Sequence, residues 1–129
     1  MKDMIDIVYQ AIKANQRISE LAGKRIAKYE YPESADHTQL FIVISPVGPQ
    51  QADIGGSDQL LSWQYTFQVN VEGKIRKDVK EAQHIIREIM MGFSFAQMTD
   101  GIDEFFSETN RFADARRYRG NTKLYDTNY

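Results

Sequence analysis

A chain of 129 residues with 16 basic and 18 acidic side chains has the usual size of one domain. Its formal net charge of −2 excludes a protein built mainly to neutralise phosphates, and its 42% hydrophobic and 26% charged residues exclude a disordered tail or a collagen-like fibre. With no cysteine there is no disulfide framework, no thiolate metal site and no cysteine nucleophile. Lys2, Asp3 and Asp6 interrupt the apolar positions near the start, so no leader-like apolar region is expected. The longest apolar run, Leu40 to Ile44, is five residues, against about twenty for a membrane span. These features predict a chain made in a cytoplasm, with no membrane partner.

Asp3 reads as the N-cap of a first helix, and Met4, Ile5, Ile7, Val8, Ala11 and Ile12 give it a broad apolar face. Asn15 is the expected stop, Ile18 to Ala22 a short further turn, and Gly23 a break. In Lys24 to Tyr31, Ile26 is the core anchor of a strand whose alternate charges suit a sheet edge, and Pro32 ends it. Gln39 to Ser45, continuously apolar in its middle, reads as a central strand covered on both faces. A long loop is expected over residues 46–60. Its Gly55-Gly56-Ser57 lacks the lysine of a phosphate loop, so Gly55 and Gly56 read as flexibility.

From Leu61 to Val71 every odd position is apolar and every even position polar, a period of two over eleven residues. Trp63, Tyr65, Phe67 and Val69 are therefore expected to wall the core. The facing Ser/Gln/Thr/Gln/Asn stripe carries no charge, which fits either a plain outer face or hydrogen bonding across a subunit contact. Ile75, Val79, Ala82, Ile85, Ile86, Ile89 and Met90 form one arc of a second long helix, with Asp78 and Glu81 as a candidate cap and Gly92 at its left-handed end. Phe93 and Phe95 alternate like a short strand, Asp100-Gly101 is a turn signal, Ile102 to Phe106 and Arg111 to Arg119 are candidate strands, and residues 121–129 form a tail. The order predicts a single α+β domain over residues 1–120, with an antiparallel sheet of about four to five strands and two main helices on one face.

Catalytic signals are weak. His84 falls opposite the apolar arc and His37 in a polar stretch, and neither has a metal-ligand spacing. Asp100, Asp103, Glu104 and Glu108 form a carboxylate cluster without the pattern of a calcium loop. Arg111, Arg116, Arg117, Arg119 and Lys123 form a basic run interleaved with Tyr118 and Tyr125, a pattern also seen on nucleic-acid surfaces, but no signature of a sequence-specific module accompanies it. Acidic run followed by basic run is a charge dipole that suits a head-to-tail contact, with Gly55, Gly56, Asp103, Glu104, Arg116, Arg117 and Arg119 as candidate contacts. No cofactor and no metal is expected.

The amphipathic start Met4 to Ile12, the apolar strand ending Ser45-Pro46, and the loop closing on Ser57-Asp58 have a counterpart in one known group. With Trp63 to Val71, the helix before Gly92-Phe93, and Ala115 to Gly120, nearly the whole chain resembles tail-terminator and head–tail joining proteins of long-tailed bacteriophages. It looks like the small siphophage tail-component family of Gram-positive hosts. That resemblance implies a non-enzymatic α+β subunit that oligomerises, commonly as a hexameric ring, and caps the tail tube beneath the head. Its implied partners are further copies, the tail tube protein and a head-completion or connector protein, in a virion assembled in the host cytoplasm. No functional residue set carries over, because no catalytic motif is there to match. Two other classes remain open at this level: an α+β ligand-binding or regulatory domain with the 46–60 loop as lid, and a small metal-dependent enzyme using the 100–108 carboxylates.

Overall fold

The computed structural model describes residues 3–54 and 60–123. Asp3 opens α1 (Met4–Ala14), its carboxylate accepting from the Ile5 amide at 3.3 Å. Met4, Ile5, Val8 and Ile12 are the buried stripe of that helix. Asn15 ends α1 and also caps α2 (Gln16–Ala22), accepting from the Ile18 amide at 3.0 Å. One asparagine thus serves two helix ends, and the expected short turn is a helix of its own.

Strands β1 (Ile26–Lys28), β2 (Phe41–Pro46), β3 (Gln51–Ile54), β4 (Leu60–Gly73), β5 (Ala96–Phe106) and β6 (Arg111–Lys123) form one sheet. The order is β1-β2-β4-β6-β5, with β3 paired to β4 beyond the end of β2. Among the described residues only β1 and β2 run parallel. With α3 (Arg76–Gly92) the protein is α+β, a mixed and mostly antiparallel sheet with three helices. Ile42, Ile44, Phe67, Val69, Val71 and Tyr118 of the sheet meet Val8, Ile12, Ile18, Val79, Ile86 and Met90 of the helices in a single core.

The two strongest strand patterns hold. On β4, Phe67, Val69 and Val71 are buried, although Tyr65 and Trp63 toward its start are only half-buried. On β2, Ile42 and Ile44 face the core, while Phe41 on the other face is covered by the Tyr31 ring, stacked at 4.1 Å. Charged β1 lies at the sheet edge, as its sequence predicts, but it is cut to three residues because Tyr29 takes a left-handed φ of 70°.

Five expectations are corrected. Residues 46–60 are not one long loop: Gln51–Ile54 pair with the first half of β4, which outruns β2 and needs a partner there. Ile75 is the cap residue of α3 rather than part of its apolar arc. Its extended backbone turns the side chain out, 60% exposed. Nor do Asp78 and Glu81 cap that helix, since Glu81 is held by Arg17 of α2 at 2.6 and 3.0 Å. The left-handed residue after α3 is Ser94 (φ 63°), not Gly92. Finally, residues 121–123 belong to β6 and pair with β4, so the chain past Gly120 does not begin a tail.

Candidate assembly surface

Among the described residues β5 has β6 as its one neighbour in the sheet, and almost all of its length is exposed. The two strands form an arm closed by residues 107–110, where Asn110 takes a left-handed φ of 54°. Near its base the pairing slips: Met98, Thr99 and Asp100 stand opposite the single Arg117, between the pairs Gln97↔Tyr118 and Gly101↔Arg116. A side chain at Gly101 would put Cβ 2.4 Å from the Ala115 carbonyl oxygen, so only glycine fits. The Asp100-Gly101 signal thus marks a bulge, not a turn. Beyond it Ile102, Phe105 and Phe106 are 48%, 50% and 41% exposed. Phe105 rests on Phe112 with 4.7 Å between ring centroids, which stiffens the arm without hiding it.

The acidic and basic runs, adjacent in sequence, lie side by side in space because the hairpin folds one onto the other. Much of the charge is therefore matched inside the chain. Arg117 donates to Asp100 at 2.9 Å and to Gln68 at 3.0 Å, and Arg119 to Thr66 at 3.3 Å. Asp114 is buried and shared by Lys80 of α3 (2.6 Å) and Arg116 (3.0 and 3.3 Å). Lys80 also donates to Asp103 at 2.6 Å. Burial opposes the Lys80 ammonium, but its two carboxylate partners outweigh that and hold its pKa above the ordinary lysine value. The same hydrogen bond from Lys80 lowers the pKa of Asp103. Glu104 and Glu108 have no cationic partner among the described residues. Gly55 and Gly56 lie outside the described residues.

Three members of this cluster were not singled out in the sequence. Gln83 is fully buried, and its amide donates to the Val69 and Asp114 carbonyls at 2.9 and 2.6 Å, pinning α3 across β4 and β6. Its place in the arc between Val79 and Ile86 was the available signal. Lys80 reads as any surface lysine, and Asp114 as the one acid in a basic run.

On the sheet face away from the helices, the uncharged β4 stripe is engaged by Arg117 and Arg119 of the same chain. A groove of about 410 Å³ runs beside it. There His37 sits edge-on to Tyr31 and Phe41, with centroids 5.0 and 5.4 Å away, and its carbonyl accepts from Arg111 at 3.0 Å. His37 is thus part of an aromatic cluster, and His84 is exposed on α3. Among the described residues no three His, Asp or Glu side chains are grouped to hold a metal ion. Away from the arm, a cleft of about 490 Å³ opens between the start of α1, the end of β2 and the middle of β4. Ile5, Pro46, Tyr65 and Phe67 line it, and Tyr29 at its rim is 66% exposed.

Comparison with solved structures finds the same fold in a chain from the virion of the native gene transfer agent (GTA) particle. The TM-score is 0.67 at 13% sequence identity, covering 90% of this chain and 91% of that one. No protein-family model matches the sequence. No curated protein matches it either.

Proposed function

We propose that this chain is a structural component of a phage-like particle, a tail terminator or head–tail joining protein that binds rather than catalyses. The observation that carries this reading is the fold shared, end to end, with a chain of the gene transfer agent virion. An arm bearing the exposed side chains Ile102, Phe105 and Phe106 adds support, because it offers apolar anchors for a protein contact. In this role identical subunits close into a ring, hexameric by the family resemblance. The ring stops growth of the tail tube and presents a surface to the head connector. No chemical step is involved: the work is done by differential affinity for the tube end over other surfaces.

The test is light scattering on the purified chain, alone and with tubes assembled from the tail-tube protein of the same particle. A ring mass that co-sediments with tube ends is expected. A chain that stays monomeric at high concentration and ignores tubes would overturn the reading.

A further inference from the structure

We infer that the β5–β6 arm of one copy docks on the β1 corner of a second copy of this chain, acidic edge to basic edge. Ile102 and Phe106, which share one face of β5 with Glu104, then face the cleft rimmed by Tyr29. This rests on the assembly reading above and adds the two surfaces that would make the contact.

β5 and β1 are the two ends of the strand order. Four strand spacings separate them, about 19 Å, so an arm cannot reach its own corner. The pairing Tyr29 amide to Ile44 carbonyl (2.8 Å) sets the corner beside the middle of the sheet. The arm tip lies past the other end, where Phe112 pairs with Gly73. The two patches therefore lie on opposite edges of the sheet and differ in shape. Two unlike, complementary patches on one subunit define a heterologous contact, the kind that generates rings.

Charge favours this pairing over arm against arm. Residues 96–110 hold Asp100, Asp103, Glu104 and Glu108 with no lysine or arginine, whereas residues 24–28 hold Lys24, Arg25 and Lys28 with no acid. Part of that charge is already engaged: Arg25 donates to the Leu40 and Leu21 carbonyls, and Lys28 pairs with Asp6. Glu104 and Glu108 on the arm and Lys24 at the corner are exposed and lack an ion-pair partner among the described residues. The outer edge of β5 also carries no proline and no lysine, the usual guards of a free edge. Covering that edge with another copy removes the liability. The cleft offers apolar walls in Ile5, Pro46 and Tyr65 for the apolar anchors, the pattern of a central hot spot with a charged rim.

Because the chain has no cysteine, single-cysteine variants give a clean readout. Phe106→Cys and Tyr29→Cys proteins, mixed and oxidised, should form a disulfide-linked dimer that neither forms alone. Glu104→Lys and Lys24→Glu should each weaken assembly about tenfold, and the double variant, with both charges swapped, should recover it. Recovery in the double variant cannot come from misfolding of the singles. Wild-type oligomers with no mixed crosslink and no charge-swap recovery would overturn this contact while leaving the assembly reading intact. A wild type that stays monomeric with and without tail tubes would overturn both.

Discussion

Gly120 has no room for a side chain. It pairs with Tyr65 in β6, and a Cβ built there would stand 1.9 Å from Cδ1 and 2.4 Å from Cε1 of Phe95. Ordinary carbon contacts are about 3.5–4.0 Å, so the ring would have to retreat by roughly 1.5–2 Å. Phe95 is 1% exposed and stacks on Phe67 at 5.8 Å, so it has nowhere to go without disturbing the core. Overpacking of this kind costs about 1–3 kcal/mol, and a clash of this depth belongs at the upper end. We expect Gly120→Ala to lose about 3 kcal/mol in urea unfolding, lowering Tm by roughly 10 °C for a chain of this size. Phe95→Leu in the Gly120→Ala background should return part of that loss, because the shorter side chain vacates the space the methyl group needs. A Gly120→Ala protein within about 0.5 kcal/mol of wild type would refute the packing of β6 against Phe95.

Further outcomes follow from the same core. Phe67→Ala should cost about 3–5 kcal/mol by denaturant melts, since its ring is buried between Tyr65 and Phe95. Burial pushes the Tyr118 phenol up to about 12, and although Arg116 pulls the other way, its hydroxyl lacks a hydrogen-bond partner of proper geometry. The fold thus keeps a proton that the unfolded chain gives up near pH 10. Stability present below pH 10 should fall by roughly 3 kcal/mol as the pH rises toward 12. Tyr118→Phe should remove that alkaline step in a pH series of melts and be neutral or slightly stabilising at pH 7. Lys80→Met leaves buried Asp114 with Arg116 alone and should cost about 2 kcal/mol at pH 7. Asp103 has a depressed pKa, so its smaller, solvent-screened share of that cluster is present above the ordinary aspartate range and lost as the pH falls through it. Dialysis against a chelator should leave Tm unchanged, whereas a fall reversed by one divalent ion would contradict a metal-independent fold.

The regular parts of the fold were legible because they obey a period. Strand β4 alternates and buries Phe67, Val69 and Val71, and α3 carries one apolar arc that buries Val79, Ala82, Ile86 and Met90. Asp3 and Asn15 act at helix ends through their side-chain oxygens, as their chemistry dictates. What failed to show in the sequence depends on long-range partners. Gln51 to Ile54 has no strand pattern and is extended because β4 offers it an open edge. Asp100-Gly101 looks like any turn, yet it serves a bulge where glycine meets the Ala115 carbonyl. Gly120 falls just past the strand expected over Arg111 to Arg119, but its missing side chain is what admits Phe95. The acidic and basic runs read as separable patches along the chain, and the hairpin sets them on neighbouring strands where Arg117 already holds Asp100. Of the described candidate contact residues, Glu104 alone remains unmatched.

Electron microscopy of particles produced without this chain puts the proposed role at stake most directly. A protein that terminates the tail and joins it to the head predicts filled heads without tails, beside detached tubes grown past a uniform length, with intact particles restored by supplying the chain. Normal particles with tails of unchanged length in its absence would contradict that role.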